Sequence, residues 1–510
     1  MDSPTSEVVA QRLGDLVRRR SRETASSPYL LDARSSRVLA YDDLLGLCDE
    51  RGRQLAQWGL RPGDRVGLMF TDPLEFATWF LAGVTAGLWV APLDPTQSTE
   101  PQRTVEDRVQ VLDLDAVLHD FGGGSSGTGD VRVTTRVTAN DAPSPSAVSG
   151  DGGGVILASS GSTGAPKIIA LSEEQILTNA ALIARHHKLT RVDRGFNPLP
   201  WWHVNAEVVG ILATLSAGAS LVMDDRFHRT GFWKTMSDYD VTWINAVPAI
   251  IARLAALEDD ERVPSSVRFV RSASAPLSPG LARAFEAATG VTVVQSYGMT
   301  EAASQICVNP LEGLRKPGSV GVPVGTFVRV VGEDGEGPLL SGVVGRIEVK
   351  GSTVITAYES PEYDDRFDVE GWLRTGDLGY FDDDGYLFIA GREDDVINRG
   401  GEKIYPIEIE EVLSEVEGVE SVVILGEADD VFGQVVIAYV QPRDGAALVS
   451  ETARASLLDG LRRRATRELV RARRPSAFRL VERLPTAATG KVRRVSLRGG
   501  DVAVAYEENF

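Results

Sequence analysis

The stretch 76–93 carries no charged side chain and approaches the length of a membrane-spanning helix. Gly83, Thr85, Gly87 and Pro92 divide it. It reads as a buried helix over 76–86 ended by Gly87, then a buried strand over 88–91. The turn 61–64, RPGD, and a strand over 65–70 come before it, and Asp72-Pro73 opens the helix. Further upstream, Leu44, Leu47, Leu55 and Trp58 recur near helical spacing, which predicts an amphipathic helix over 41–59. Strand–helix–strand alternation implies a largely parallel sheet with both faces covered. With 510 residues, the chain has room for roughly three domains.

The stretch 155–172, VILASSGSTGAPKIIALS, sets a loop between two apolar runs. The loop holds Ser159, Ser160, Gly161, Ser162, Thr163 and Gly164, and Pro166 and Lys167 follow it. Glycine lets the backbone bring its N–H groups close to an anion. The hydroxyls add donors and Lys167 adds positive charge, which suits phosphate oxygens. The spacing is not that of the Walker loop, which also opens into a helix rather than a second strand. The same composition describes an ordinary surface loop.

Ser172 and Gln175 form a capping box for a helix reaching about 188. The stretch 197–207, NPLPWWHVNAE, is aromatic with a lone histidine. Its Trp201, Trp202 and His203 read as core packing. Further α/β units follow, with strands over 241–246, 267–271 and 291–295, and helices over 249–257 and 281–289. The last strand ends in SYGMTE, comprising Ser296, Tyr297, Gly298, Met299, Thr300 and Glu301. Ligands of open α/β sheets sit beyond the carboxyl ends of the strands. There Tyr297 offers a flat face for a base, Gly298 room, Thr300 a hydroxyl and Glu301 a hard oxygen for Mg²⁺. A strand-end turn with a solvated Glu301 is the alternative.

Gly, Val and Pro with short alternating strands over 318–351 suggest a small β-barrel, and the turn 382–385 makes a hairpin. Asp377 before it and Arg392 after it could recognise a sugar, because a carboxylate accepts from two vicinal hydroxyls. They could equally be a surface ion pair. The composition changes at Asp394, which divides the chain into 1–393 and 394–510. NRGGEKIYP, with Gly400, Gly401 and Lys403, leads to Pro406 at a helix start. Strands over 421–425 and 435–441, a basic helix over 453–473 and a segment with Lys491 complete a small α+β domain. Arg462, Arg463, Arg464, Arg467, Arg471, Arg473 and Arg474 form a local basic run, either a solvated face or a place for an anionic partner. A net charge of −19 without a basic tail argues against a nucleic-acid binder. Cys48 and Cys307 alone supply neither a disulfide framework nor zinc-ligand spacing. The start of the chain lacks the apolar segment of a signal peptide. A cytoplasmic protein without a membrane span is the expectation.

Four stretches in order, SSGSTGAPK, SYGMTE, the TGD–GRED run with NRGGEKIYP, and PTAATGK, together resemble the adenylate-forming superfamily. Ile168 departs from it, since relatives often carry glycine there, and an altered loop flexibility is expected. The resemblance implies an α/β fold: a large N-terminal domain of two α/β lobes plus a small β-barrel, then a small mobile α+β C-terminal domain. It implies ATP, Mg²⁺ and CoA. Ser159 to Gly164 and Lys167 would hold phosphates. Ser274, Ala275 and Pro276 would line the adenine site, with Ser296 and Met299 beside it and Tyr297 on the base. Thr300 would touch the α-phosphate, Glu301 hold Mg²⁺, and Asp377 and Arg392 bind ribose. Lys491 would bridge the acid and the α-phosphate, with Asp394 as the hinge. Trp202, His203, Asn205 and Gly298 would line the acid pocket, where the tandem tryptophans suggest a short or medium acid. His203 would divide that pocket from a thiol tunnel formed by Gly400, Gly401 and Lys403.

The first reading is therefore an acyl-CoA synthetase. A second is a stand-alone activating enzyme that serves an acyl carrier protein or an amine, or that activates another weak acid such as nitrite. A third is a non-catalytic nucleotide-binding protein on the same fold, which retention of Glu301 and Lys491 argues against.

Overall fold

The computed structural model describes residues 12–96, 109–120, 131–135, 152–160, 166–257, 261–332, 334–335, 337–486, 492–500 and 502–510. Asp72 caps the helix Pro73–Thr85 by accepting from the N–H groups of Leu74 and Glu75, with Pro73 in the first turn. Nearly all of that helix is buried. The strands on either side of it, Arg65–Met69 and Trp89–Pro92, pair in parallel. Ala116–His119 and Gly154–Ser160 extend this sheet in parallel, and Arg132–Thr135 and Pro166–Ser172 close its edges antiparallel. Most of the long loop expected over 121–154 lies outside the described residues, and 132–135 is an edge strand. No helix among the described residues is long and apolar enough to cross a membrane.

A second sheet, thirteen strands among the described residues, starts at the antiparallel edge strand Val38–Ala40 and runs in parallel through Pro28–Asp32, Ser220–Met223, Arg194–Asn197, Trp243–Ala246, Phe269–Ser272 and Thr292–Tyr297. It turns antiparallel at Cys307–Val308 and Ser319–Pro323. The strands Phe327–Val331, Gly345–Lys350, Leu373–Phe381 and Leu387–Arg392 continue it. The barrel region is thus hydrogen-bonded onto the end of the second lobe. One apolar core passes through both lobes and this region. The capping box forms in both directions, at 3.2 Å and 2.8 Å, and its helix is Glu173–His186. After the tryptophan pair comes a π-helix, Asn205–Leu212, which nothing in the local periodicity announces.

The C-terminal region has its own four-stranded sheet: Val419–Asp429, Gly433–Pro442, Ala477–Val481 and Val504–Asn509. Ile409 and Leu413 of the helix Pro406–Ser414, and Leu457, Leu458 and Leu461 of Glu451–Glu468, bury against it. That basic helix ends before the expected 473, and its arginines face carboxylates. Arg462 pairs with Glu508, Arg463 with Asp459, Arg464 with Glu415, Arg467 with Glu468 and Arg473 with Glu408. The run reads as a charge-compensated solvated face.

Candidate active site

Seven residue pairs, from Gly154↔Ser172 to Ser160↔Pro166, zip the strands Gly154–Ser160 and Pro166–Ser172 together. The strand Gly154–Ser160 runs parallel to Trp89–Pro92 and ends at Ser160, and ligands of open sheets bind beyond such carboxyl ends. Gly161, Ser162, Thr163 and Gly164 lie outside the described residues, and Ser159 and Ser160 end the strand. Ile168 falls inside the second strand rather than in the loop, so loop flexibility is not what it sets. Its carbonyl accepts from the N–H of Glu359 at 3.2 Å. This contact brings the segment after 353 alongside Lys167, whose Nζ lies 4.9 Å from the Tyr363 ring centre and 5.9 Å from that of Tyr358. Such cation–π contact holds an ammonium in place without neutralising it. Burial, then the charge of Arg366, lowers the Lys167 pKa against the opposing pull of Glu301.

The Tyr358 hydroxyl donates to Glu301 Oε1 at 2.9 Å. Burial, then the Glu301 charge, raises the pKa of that hydroxyl, so it stays a donor. Glu301 Oε2 has no hydrogen bond among the described residues. Mg²⁺ is commonly held by one or two carboxylates with substrate phosphates and water, so this single hard oxygen suits it.

Asp377 and Arg392 face each other across two antiparallel strands. Arg392 Nη1 donates to Asp377 Oδ1 at 3.1 Å, and the Tyr297 hydroxyl donates to Oδ2 at 2.6 Å. The pair is thus partly buried and fixed to Tyr297. A Cβ on Gly376, whose φ is +76°, would stand 3.1 Å from guanidinium nitrogens of both Arg366 and Arg392. Two cations therefore converge beside Lys167 and Glu301. Tyr358, Tyr363 and Arg366 were missed by sequence reasoning. Their only signal was the aromatic and charged run over 358–366 within an irregular segment.

At the other end, His203 precedes the π-helix and its carbonyl accepts from the N–H groups of Ala206 and Glu207. Burial lowers the pKa of its imidazole, with Asp94 opposing. Trp202 is buried and packs edge-on to Trp201 at 5.3 Å, which is the core role. Asn205 donates to the Ser274 hydroxyl at 3.2 Å, and Ser274 is exposed with φ +72°. Ala275 and Pro276 continue that partly exposed turn. Ser296 is buried, with its hydroxyl on the Ser272 carbonyl at 3.3 Å, and Met299 packs on the core. Thr300 opens a short 3₁₀ turn that carries Glu301. A Cβ on Gly298 would stand 1.5 Å from the Ser304 carbonyl oxygen, so the position admits no side chain.

Gly400, Gly401 and Lys403 lie on an exposed hairpin, Ile397–Arg399 with Glu402–Ile404, and the Gly400 N–H donates to the Phe432 carbonyl at 2.7 Å. This hairpin packs within the small domain and is not gathered with Lys167 and Glu301. Asp394 is exposed in the turn Glu393–Asp395. Lys491 lies outside the described residues. Glu415 of the small domain meets Arg283 at 3.6 Å on the helix Pro279–Thr289.

The profile of the AMP-binding enzyme family matches residues 17–359, and that of the AMP-binding enzyme C-terminal domain matches 408–491. A sulfoacetate–CoA ligase of Cupriavidus necator is 35% identical, over 98% of this chain and 99% of its own. An oxalate–CoA ligase of Arabidopsis thaliana is 32% identical, over 87% and 89%. The crystal structure of ATP-bound MatB from Rhodopseudomonas palustris superposes with a TM-score of 0.81 at 26% identity, covering 96% of this chain and 98% of that one. The chain belongs to the AMP-binding enzymes of the adenylate-forming superfamily, among the acyl-CoA synthetases.

Proposed function

We propose that this acid–thiol ligase activates a short, polar carboxylic acid with ATP and passes the acyl group to the thiol of CoA. The observation that carries this reading is the gathering of Lys167, Arg366 and Arg392 around Glu301 and Asp377, with Lys167 paired in register with Ser159 near the end of its strand. A carboxylate and a triphosphate repel each other, and fixed cations offset that repulsion while holding both in line. One acid oxygen attacks the α-phosphorus, the bond to the β-phosphate oxygen breaks, and pyrophosphate leaves. Lys491 stabilises the charge that develops, and Asp377 holds the ribose hydroxyls. Glu301 would hold Mg²⁺, which would supply charge compensation at the phosphates. The small domain, bounded at 394, then turns about Asp394 and replaces Lys491 with the hairpin of Gly400, Gly401 and Lys403. The thiolate attacks the acyl carbon of the mixed anhydride and AMP leaves. Separating the half-reactions by a domain movement keeps water from the intermediate.

Relatives named for sulfoacetate and oxalate support a short acid. A cytoplasmic setting, where ATP and CoA are supplied, goes with it. The test is pure protein with ATP, Mg²⁺, hydroxylamine and a panel of acids, followed by CoA or a pantetheinylated carrier protein as acceptor. Pyrophosphate and hydroxamate with a short acid, and thioester on free CoA, are expected. No pyrophosphate from any acid sinks the reading, and thioester only on the carrier protein replaces CoA with that acceptor.

A further inference from the structure

Three parallel strands carry Asn197, Asn245 and Arg271 side by side near their carboxyl ends. Asn245 pairs laterally with Arg271, and Ile244 with Phe196 one step earlier. Side chains at one level of adjacent strands share a face, and here that level is the carboxyl end, where ligands of open sheets sit. Arg271 is 1% exposed. A guanidinium remains charged in proteins and almost never lies buried without an anion. Yet no carboxylate stands within 4.0 Å of this one among the described residues. Nη1 reaches only amide oxygens, of Asn245 at 3.3 Å and Asn205 at 3.4 Å, and Nε has no partner. Burial alone pushes its pKa down to about 9. The other charged or titratable groups nearby are the imidazoles of His186 and His187, which feel its positive charge. Glu207, also buried, forms no ion pair with it and has both oxygens unpartnered.

A short relay leads from this cation to the surface. Asn205 accepts from Arg271 and Asn245 through Oδ1 and donates through Nδ2 to the exposed Ser274. Asn205 and Ser274 belong to the acid and nucleotide end of the site proposed above. Hydrogen bonds at 3.3–3.4 Å are at the long limit, and an anion in place of the amide oxygen would make them short and charge-assisted. We propose that Arg271 recognises a second anionic group, a carboxylate or sulfonate, on the acid substrate, so that the enzyme activates dianionic short acids. This rests on the reading of the site as an acid-activating one. The reacting carboxylate goes to the α-phosphate, and the second anion supplies the charge that the strand ends lack. The Asn197–Asn245–Asn205 amides orient the guanidinium from behind, with Asn245 donating to Asn197 and Asn205 at 2.9 Å and 3.0 Å.

The experiment uses the full chain with ATP and Mg²⁺, and compares pyrophosphate release from acids that differ in one charge at constant size. The pairs are malonate and malonamate, succinate and succinamate, and sulfoacetate and methylsulfonylacetate. At least one dianion is expected to exceed its uncharged counterpart by 100-fold or more in kcat/KM, since a site built around a charge rejects an analogue that leaves it unpaired. Arg271→Met should bring that ratio close to 1, and Arg271→Lys should leave it between the two. Arg271→Met is first shown to be folded by its ATP-dependent rise in unfolding temperature. If it fails that check, the wild-type ratio decides. Equal or better use of the singly charged acids overturns the inference and leaves acid activation standing. A uniform loss across both members of each pair also overturns it, by making Arg271 structural. Silence with every acid overturns both.

Discussion

Charge is the deciding quantity at the residue scale. Lys167 is fixed over two tyrosine rings beside Glu301, and Arg366 and Arg392 flank Gly376. These cations precede residue 394, whereas Lys491 closes the stretch 408–491 matched by the C-terminal family profile, so the rotation proposed above would carry Lys491 alone. Lys491→Ala should therefore lower adenylate formation by about 10²-fold or more, as expected for the loss of a preorganised charge stabiliser. Thioester formation from supplied acyl-adenylate should largely survive. Separate rates for the two half-reactions check this, and an equal loss in both contradicts it. Tyr297, Asp377, Arg392 and Glu301 were legible in sequence because each has chemistry that a nucleotide or its metal needs. Tyr358, Tyr363 and Arg366 were not, because their segment is brought to Lys167 by bonds between distant residues, such as those from the Glu359 N–H to Ile168 and from the Ile355 N–H to Glu301. No spacing rule encodes those contacts.

Among the elements, the hairpin 154–172 and the strand pair carrying Asp377 and Arg392 follow directly from apolar runs and turn residues. The π-helix Asn205–Leu212 does not, since its extra residue per turn is held by packing and by the Asn205 hydrogen bonds. The turn Glu393–Asp395 joins the last strand of the large domain to the small one. A hinge concentrates a large φ/ψ change in a few residues, and proline holds φ near −65°. Asp394→Pro should keep pyrophosphate release from ATP and acid but lose thioester formation. Intact rates for both steps would place the hinge elsewhere, and loss of adenylation alone would reverse the assignment of the half-reactions.

For the whole molecule, buried ionisable groups set the response to acid. Burial, then the charge of Arg271, holds the His186 pKa down at about 4, and burial, then His186, holds that of His187 well below its ordinary value. Burial holds that of Glu207 well above the carboxylate range. Unfolded, the two imidazoles take up protons near pH 6.5 while Glu207 gives its proton up above about pH 4.5. Between those limits the unfolded chain binds more protons on the two histidines and fewer on Glu207, and the two histidines outweigh the one carboxyl, so their contribution to stability falls as pH falls. The unfolding temperature should drop between pH 7 and pH 5, and His187→Phe, if folded, should make that drop shallower. A rise in the wild-type unfolding temperature on acidification would contradict this balance.

Sequence alone determined the alternating α/β plan, the hairpin, the change of composition at Asp394 and the family, because periodicity, caps and turn residues act over a few positions. It did not determine that the barrel strands would extend the second sheet, or that the arginine run would be neutralised by carboxylates from other elements. Nor did it show that Gly298 makes room for the Ser304 carbonyl. The resemblance offered Arg271 as either a polar handle near the acid pocket or a buried structural group, without choosing between them. The burial of Arg271 without a carboxylate arises where three strand ends, a π-helix and a histidine-bearing helix meet. Electrostatic partners are chosen by distance in space, and distance between residues far apart in the chain exists only once the sheets have formed.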